Sequence, residues 1–365
     1  MIKTPKIIAF HLPQYHSFPE NDEWWGKGFT DWINVKNAKP LFSGHNQPRV
    51  PLKKKYYNMM DYKTHKWQAE TAQKYGIYGF CYYHYWFNGK LLMEKPMEAL
   101  LKEKEIALPF CFCWANEPWT RAWDGGEKDI IMPQYYGDKT DWKRHIEYYM
   151  PFFIDERYIK VNNKPMLVIY RTSNIDNCDE MITYWDKVCI NNGFNGIYVV
   201  EELNGFQKSV FQKNSQAYLD FYPWYLSLEK TLGSKRVIDR IRKAWYRIVC
   251  RINNPIFFYD SLWRNILMEP YKKENSKEHY LGAIVGWDNT PRKGKQGSIC
   301  IGSSPKAFGK YFRRLFQKAQ ENDVDYIFVN AWNEWAEGAY LEPDEKYGYG
   351  YLEEIKKAIS GESDA

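Results

Sequence analysis

Two glutamates near the C-terminal end have the residue type and the spacing that sugar chemistry requires. Glu334 and Glu337 directly follow the apolar run 326–329, within the segment 329–338 that reads Val-Asn-Ala-Trp-Asn-Glu-Trp-Ala-Glu-Gly. Cleavage of an acetal needs one carboxylic acid to protonate the leaving oxygen and a second carboxylate as base or nucleophile. Indole rings stack on the apolar faces of sugars, so the segment predicts a carbohydrate site rather than two solvated acids in a loop.

Further polar and aromatic side chains directly follow several other apolar runs. In a parallel barrel the carboxyl ends of the strands meet at one face, so side chains at these positions converge. We predict that they form a substrate-binding site around the two glutamates. The predicted binding residues are Tyr15, His16, His84, Trp86, Trp114, Asn116, Glu117, Arg121, Trp287, Asp288, Trp332 and Asn333.

Some of these residues allow a second interpretation. Glu117 follows an asparagine at the end of the third run, and it is either a second acid/base candidate or a hydroxyl-binding residue. His16 and His84 either bond to sugar hydroxyls or support the core, because their spacing matches no metal-ligand pattern. Arg121 forms either an ion pair at the rim or a contact to a charged sugar. The segment 287–292 is either a stacking ring beside hydrogen-bonding groups or a turn with a structural arginine.

The elements that must position these residues are short apolar runs, each followed by a polar loop and an amphipathic segment. Continuous apolar character is typical of strands buried on both faces of a parallel sheet. The alternation predicts the α/β class and a single (β/α)8 TIM barrel with elaborated βα loops, with a doubly wound open sheet as the alternative. We predict one catalytic domain over residues 1–359 and a disordered tail over 360–365. The runs are 7–10, 77–82, 110–114, 166–170, 197–200, 217–221, 281–285 and 326–329, and the clearest helical segments are 62–74, 142–153, 181–191 and 305–322.

Composition narrows the functional class. Of the 365 residues, 44% are hydrophobic and 18% aromatic, which is enough for a core and suits an aromatic-lined cleft. The net charge of +6 is spread along the chain, so nucleic-acid binding has little support. The seven cysteines lack the spacing of a disulfide framework or a zinc site, and they predict thiols in a reducing compartment. The sequence shows neither a leader peptide nor an apolar run that could span a bilayer, and we therefore expect a cytoplasmic location.

The segment 235–252 is amphipathic and strongly basic. Its apolar residues recur at helical spacing, and arginines and lysines occupy much of the remainder. It is either an outer barrel helix whose apolar stripe covers a strand, or a helix that lies on an anionic membrane surface. The second interpretation places the protein at the periphery of the inner membrane and would suit an enzyme that acts on lipid-linked glycans.

Four segments together resemble a known family. They begin at His11 (His-Leu-Pro-Gln-Tyr-His), Trp114 (Trp-Ala-Asn-Glu-Pro-Trp-Thr-Arg), Asp288 (Asp-Asn-Thr-Pro-Arg) and Asn330 (Asn-Ala-Trp-Asn-Glu-Trp-Ala-Glu-Gly). They resemble the WbsX-type family of bacterial surface-polysaccharide clusters, whose members are often labelled glycosyltransferases. That family is in turn similar to glycoside hydrolase family 99, the endo-α-mannosidases and endomannanases. The resemblance covers nearly the whole chain.

The resemblance implies a (β/α)8 barrel and a retaining mechanism through a 1,2-anhydro sugar, with no cofactor or metal. Glu334 would act as base on the 2-hydroxyl of the sugar, and Glu337 would protonate the leaving oxygen and then activate water. This implies an endo-acting glycoside hydrolase or transglycosylase of O-antigen or capsule polysaccharide, mannose-like at the cleaved bond, with oligosaccharides or polysaccharides, including lipid-linked forms, as substrates. A glycosyltransferase and a catalytically silent glycan-binding barrel are the alternatives. The sequence carries no glycine-rich phosphate loop, which favours the hydrolase or transglycosylase.

Overall fold

The computed structural model describes residues 3–121, 126–225 and 234–362, and it describes the backbone alone for Arg121, residues 126–128 and residues 234–236. Within these ranges, parallel strands form one closed sheet. The barrel strands are β1 (Lys6–His11), β2 (Ile77–Phe87), β3 (Phe110–Trp114), β4 (Lys164–Ile169), β5 (Tyr198–Leu203), β6 (Ala217–Asp220), β7 (Glu278–Ile284) and β8 (Tyr326–Asn330). Strand β1 pairs with β8 on one side and with β2 on the other, which closes the barrel. The predicted TIM barrel is confirmed, and each predicted apolar run forms one of its strands.

Helices surround the barrel at the predicted positions. Short polar side chains begin three of the long ones, because a side-chain oxygen accepts a backbone N–H of the first turn: Asp61, Asp138 and Ser304 do this. The helices of the described chain are α1 (Pro19–Trp25), α2 (Trp32–Asn37), α3 (Tyr62–Lys74), α4 (Lys95–Lys102), α5 (Lys139–Ile154), α6 (Cys178–Asn191), α7 (Ser234–Val249), α8 (Tyr259–Met268), α9 (Thr290–Lys293), α10 (Pro305–Glu321) and α11 (Gly350–Ser360).

Long connections follow several strands at the carboxyl end of the barrel. The connection after β1 contains α1 and α2, the one after β6 contains α7 and α8, and the one after β7 begins with α9. Short strands stiffen these connections and the first turns after the barrel strands. They are Lys90–Leu92, Trp119–Arg121, Gly126–Met132, Lys160–Val161, Ile256–Phe258, Ile299–Ile301, Asn333–Glu334 and Ala339–Tyr340.

Successive residues of each barrel strand face opposite sides, and this alternation decides which side chains reach the lumen. On β1, the Phe10 ring lies 5.6 Å from that of Tyr83 and 5.1 Å from that of Phe221, inside the barrel. The next residue, His11, contacts Phe80 at 5.0 Å and bonds to Gln68 of α3, on the outer side. Both sides are buried, which explains why the strands are continuously apolar in sequence.

Helix α11 runs through Ser360, the first residue of the predicted tail. Gly361 then adopts a left-handed conformation, and the Glu362 N–H donates to the Lys357 carbonyl at 3.2 Å, which completes the helix end. Residues 363–365 lie outside the described residues. In the part of the chain that the structure describes, none of the helices combines the length and apolar character needed to cross a bilayer.

Candidate active site

Glu334 and Glu337 stand on one tight turn directly after β8. The short strands Asn333–Glu334 and Ala339–Tyr340 pair antiparallel, and a 3₁₀ turn over Trp335–Glu337 connects them. Side chains three residues apart eclipse one another on a 3₁₀ turn, so both carboxyl groups project from one side of it. Gly338 closes the turn with a φ of +62°, a backbone conformation that favours glycine.

Arg292 of α9 joins the two glutamates. Its guanidinium donates to Glu334 at 3.0 Å through Nη2 and to Glu337 at 2.6 Å through Nη1. The same Nη2 donates to Asp31 at 2.7 Å, and Asp31 is fully buried just before α2. Three connections of the barrel face, those after β1, β7 and β8, therefore meet at a single guanidinium. Charge-assisted bonds of this kind fix both distance and direction.

The charges at this site favour one shared proton. Burial, together with the neighbouring charges of Glu337 and Asp31, raises the pKa of Glu334 to about 8, against the opposing effect of Arg292. Burial also raises the pKa of Glu337, and Asp31 adds to this while Arg292 again opposes it. Three carboxyl groups thus surround one guanidinium, and at neutral pH the glutamate pair retains a proton.

Tyrosines of β2 and of the β4 end lie within electrostatic range of the glutamates. The charge of Glu334 acts on Tyr83 and Tyr85, and that of Glu337 acts on Tyr85 and Tyr170. Burial, which is the largest cause, holds the pKa of each tyrosine well above its ordinary value. Their hydroxyls therefore stay protonated, and they can donate hydrogen bonds to a bound ligand.

Three predicted binding residues lie beneath the turn and hold it in place. The Asn333 side chain accepts from the Leu12 N–H at 2.7 Å and donates to the Leu12 carbonyl at 2.9 Å. The Tyr15 hydroxyl donates to the Asn333 carbonyl at 2.8 Å, and Tyr15 is fully buried. The Trp332 indole is also fully buried, and it donates to Glu342 at 2.9 Å.

Glu342 organises the underside of the same turn. Besides the Trp332 indole, it accepts hydrogen bonds from the Trp335 indole at 2.6 Å, the Tyr57 hydroxyl at 2.9 Å and the Gln68 amide at 2.8 Å. Burial raises the pKa of Glu342 to about 7, although these donors oppose the shift. The tryptophans that frame the glutamates in sequence are therefore anchored by a buried carboxylate, away from the lumen.

Four predicted residues point away from the glutamates. His84 bonds to His145 of α5 at 2.9 Å, and the Trp86 ring stacks on His145 at 4.5 Å. The Trp114 ring lies edge-on to the same imidazole at 4.7 Å. His16 is buried and bonds to the Pro13 carbonyl at 2.8 Å. Burial lowers the pKa of His84 to about 3 and that of His16 to about 4, so both rings are neutral core residues at neutral pH.

The third and seventh strands supply residues at the rim. Asn116 donates to the Arg171 carbonyl and accepts from its N–H, both at 2.8 Å, and the partly exposed Glu117 carboxylate pairs with the Arg171 guanidinium. Arg121 belongs to the strand Trp119–Arg121, and its side chain lies outside the described residues. Trp287 donates to Ser298 at 2.9 Å and lies edge-on to Trp224.

Asp288 supports the site from behind. It accepts hydrogen bonds from His45 at 2.9 Å and from Gln47 at 2.7 Å, and the Arg49 guanidinium lies 3.6 Å away. Burial alone would raise the pKa of Asp288, but these partners lower it to about 2. The Asp288 N–H also donates to the Glu337 carbonyl at 2.6 Å, which ties the connection after β7 to the turn that carries both glutamates.

Sequence reasoning missed Asp31 and the lumen tyrosines of β2. Asp31 has no distinguishing pattern around it in the sequence, because its role depends on Arg292, which is 261 residues away. Tyr83 and Tyr85 alternate with His84 and Trp86, and the run is apolar on both faces, so the sequence does not reveal which set faces inward. Arg292 did have a signal in the sequence, because the segment 287–292 after the seventh strand combines turn residues with a cation.

Comparisons with known proteins agree with the barrel fold and identify the family. The model of the family described as Glycosyltransferase WbsX matches residues 7–355. WxcX proteins from two strains of Xanthomonas campestris pv. campestris, described as uncharacterized, are 34% identical over 97% of this chain. The match covers 49% of each of them, so the chain spans about half the length of these curated relatives.

Solved structures share the fold at low sequence identity. A glycoside hydrolase-like protein superposes with a TM-score of 0.62 at 13% identity, covering 98% of this chain and 94% of that one. The GH99 endo-alpha-mannosidase from Bacteroides thetaiotaomicron gives a TM-score of 0.56 at 12% identity, covering 97% and 96%. These likenesses concern the fold, whereas the family model matches the sequence itself over nearly its whole length. The chain therefore belongs to the WbsX family, described as glycosyltransferases.

Proposed function

We propose that this protein is an endo-acting, retaining glycoside hydrolase or transglycosylase of bacterial surface polysaccharide. The observation that carries the proposal is the Arg292 guanidinium bonded to both Glu334 and Glu337. Two carboxyl groups bonded to one guanidinium can both reach a single bound sugar, as the two carboxyl groups of a glycosidase must. Their raised pKa values leave one proton for transfer, which is the requirement of acid/base catalysis on an acetal.

In the proposed mechanism, Glu334 removes the proton of the 2-hydroxyl, and O2 attacks the anomeric carbon of the same sugar. Glu337 gives its proton to the leaving oxygen as the glycosidic bond breaks, and a 1,2-anhydro sugar forms. Glu337 then takes a proton from water or an acceptor hydroxyl, which opens the ring at the anomeric carbon, and Glu334 returns its proton to O2. Two inversions at one carbon give net retention.

The exposure of the two side chains supports this division of roles. The Glu337 side chain is 23% exposed and that of Glu334 only 8%. An acid/base that meets the leaving oxygen and then water must be reachable from the mouth, whereas a base for the 2-hydroxyl works deeper in the lumen. A 2-hydroxyl that donates to Glu334 would stabilise its ionised form, and this would transfer the shared proton to Glu337 when the substrate binds.

A glycosyltransferase is the second candidate, because the family description names that activity. A transferase that uses a nucleotide sugar must hold a diphosphate, and the sequence has no glycine-rich phosphate loop. We expect no saturable thermal shift with nucleoside diphosphates or nucleotide sugars. A clear saturable shift with one of them would favour the transferase over the hydrolase.

We also propose that the enzyme works in the reducing cytoplasm, on oligosaccharides or polysaccharides that include lipid-linked forms. All seven cysteines are free thiols, and six of them are buried, as expected for small apolar core residues in a reducing compartment. The cleaved bond in this proposal is mannose-like, by analogy with the family-99 fold.

The proposal is tested with Glu334→Gln and Glu337→Gln. The parent protein should shorten or rearrange purified surface polysaccharides, seen as a changed molar-mass distribution, and each variant should lose about 10²-fold to 10⁴-fold in rate while retaining glycan binding. Glu147→Gln, whose side chain is 57% exposed on α5, is the matched control and should keep full activity. Full turnover by either site variant, or turnover of a substrate methylated at its 2-hydroxyl, would contradict the assigned roles.

A further inference from the structure

Helix α7 exposes a continuous apolar surface. Ile248 is 76% exposed and Ile241 63% exposed, and their neighbours on the same side are more than half exposed as well. We call this surface the apolar stripe. The exposure contradicts the interpretation of 235–252 as a barrel helix whose apolar side covers a strand. The stripe consists of Val237, Ile238, Ile241, Trp245, Ile248 and Val249.

A different face attaches α7 to the rest of the protein. The Tyr246 ring lies against Phe258 at 6.2 Å and against Phe42 at 5.9 Å. Arg242 lies over the Phe258 ring at 3.6 Å and pairs with Asp260 at 3.1 Å. Because Arg242 and Tyr246 are four residues apart, they share one side of the helix, and the apolar stripe is rotated away from it.

Cations border the apolar stripe on its other edge. Arg240, Lys243 and Arg247 are spaced by three and four residues, so they form one row along α7. Within the described residues none of the three makes an ion pair, whereas the helix's own acid, Asp239, is paired with Arg242 at 3.3 Å. The side of α7 that faces away from the barrel is therefore apolar along one half and positively charged along the other.

We propose that α7 lies flat on a membrane surface that contains anionic lipids. The apolar stripe enters the boundary between headgroups and acyl chains, and the cationic row contacts the phosphates. A second copy of this chain fits the surface less well, because two stripes packed against each other would bring two cationic rows together. An apolar side chain on a soluble surface is ordinary when it stands alone, but six on one helix require a partner.

The attachment of α7 gives the membrane contact a functional meaning that rests on the proposed function. Tyr246 contacts Phe42, the Phe42 ring stacks on His45 at 4.7 Å, and His45 bonds to Asp288, whose N–H donates to Glu337. The helix is thus fixed to the rim of the glutamate site. A lipid-linked saccharide, whose carrier lies in the bilayer, would reach the mouth without leaving the membrane.

The test is sedimentation of the full chain with vesicles, in the absence of any glycan. One set contains phosphatidylcholine alone, and in the other phosphatidylglycerol replaces about a third of it. We expect binding to the anionic vesicles at low salt and a steep loss of binding as salt rises, because the phosphate contacts are screened. Absence of binding to anionic vesicles at low salt would overturn the proposal.

Variants of exposed residues separate the two parts of the surface. Ile241→Asp combined with Ile248→Asp should lower the vesicle partition coefficient by about tenfold or more, and so should Arg240→Glu combined with Arg247→Glu. The matched control is Ile154→Asp with Ile190→Asp, because these isoleucines are 62% and 51% exposed on other helices. The control should bind as the parent does. Equal binding by all variants would overturn the proposal.

Sedimentation equilibrium without vesicles tests whether a second copy of the chain, rather than a membrane, covers the apolar stripe. A parent dimer that Ile241→Asp with Ile248→Asp converts to monomer, together with no vesicle binding, would assign the stripe to a second copy and overturn the membrane proposal. Because none of these measurements uses turnover, their failure leaves the glycosidase proposal standing. Likewise, we expect a Glu337→Gln protein to bind anionic vesicles whether or not the proposed reaction occurs.

Discussion

At the scale of single residues, Arg292 determines what the two glutamates can do. It binds both of them and the buried Asp31, so it fixes their positions and limits the negative charge that the site tolerates. Removing the guanidinium from this buried cluster would leave its carboxylates without a compensating charge, at a cost of about 3–5 kcal/mol. The arrangement of the glutamates thus depends on a cation that approaches from a different connection of the barrel.

The raised pKa of Glu334 predicts an alkaline limit to activity. We expect kcat/KM to fall as the pH rises through about 8, because the pair then loses the proton that the mechanism uses. Asp31→Asn removes a negative charge that raises the pKa of both glutamates, so its alkaline limb should move to lower pH by about one unit. The measurement is the pH profile of kcat/KM, with the surface variant Glu147→Gln on α5 as a control whose alkaline limb stays in place.

The raised pKa of Glu334 also makes the free energy of unfolding depend on pH in a predictable direction. The ordinary pKa of Glu334 is 4.5 and its value in the folded protein is about 8, so the native state holds the additional proton between these values. The contribution of Glu334 to the free energy of unfolding therefore falls as pH rises through this window. Glu334→Gln should flatten the change of Tm with pH in this range, and an unchanged slope would contradict the assigned pKa.

At the scale of elements, the turn over Trp335–Glu337 directs the side chains of Glu334 and Glu337, three residues apart, to the same side. It closes through Gly338, where a Cβ would lie 2.6 Å from the Arg49 guanidinium in addition to the strain of its positive φ. A β-branched or even a small side chain there must move Arg49, which bonds to the Gly338 carbonyl at 2.9 Å. The geometry of the glutamate pair thus depends on a residue without a side chain.

Gly338→Ala should therefore impair both stability and turnover. We expect a loss of about 1–3 kcal/mol in the free energy of unfolding and a lower kcat, because the turn shifts the glutamates. Gly361→Ala is the matched control, since its φ is +74° but a Cβ there meets nothing within 4 Å. It should lose only about 1 kcal/mol and keep full activity. Equal activity losses in the two variants would contradict the account.

Strand β2 offers a second test, because adjacent residues face opposite sides. Tyr85→Phe removes a lumen hydroxyl and should weaken glycan binding with a small effect on stability. Trp86→Phe removes the indole N–H that bonds to Asp141 at 3.1 Å, on the outer side. It should lower the free energy of unfolding by about 1–3 kcal/mol and leave glycan binding unchanged. Isothermal titration measures the glycan affinity of each variant, and chemical denaturation measures its free energy of unfolding. If Trp86→Phe weakened binding and Tyr85→Phe lowered stability, the opposite face of β2 would line the lumen.

At the scale of the whole molecule, closure of the barrel buries both faces of every strand and brings distant residues to one mouth. Pairing of β1 with β8 places residues from the two ends of the chain beside each other, and the hydrophobic core extends from Ile7 to Ala358. The connections at the carboxyl end can therefore differ in length and carry the chemistry, while the barrel holds them in fixed relation.

Closure also protects the thiols. Six of the seven cysteines are buried, and burial raises the pKa values of Cys81, Cys113, Cys178, Cys189 and Cys300, so their thiols react slowly. We expect a thiol reagent to modify Cys250 alone quickly in the native protein and all seven in denaturant. Cys250→Ser should abolish the fast phase. Fewer than seven thiols in denaturant, or several fast ones in the native state, would contradict the structure.

The amino-acid sequence by itself determined the barrel and the location of the glutamate pair. Continuous apolar runs that alternate with amphipathic segments are a local signal, and each run carries it independently of the others. The helices 62–74 and 181–191 were likewise predicted from their amphipathic pattern, and α3 and α6 contain them. The position of Glu334 and Glu337 at the carboxyl-end face followed from the same reasoning, because residues that directly follow a strand of a parallel barrel lie at that face.

Only the tertiary structure decided which side chains share the site. Tyr83 rather than His84 faces the lumen, and Asp31 meets Arg292, although nothing near either residue in sequence indicates it. The exposure of the apolar stripe on α7 was also undetermined, since an amphipathic pattern is the same whether the stripe meets a strand or solvent. The reason is physical: periodicity records that a face is apolar, whereas the identity of its neighbour depends on contacts between residues far apart in the chain.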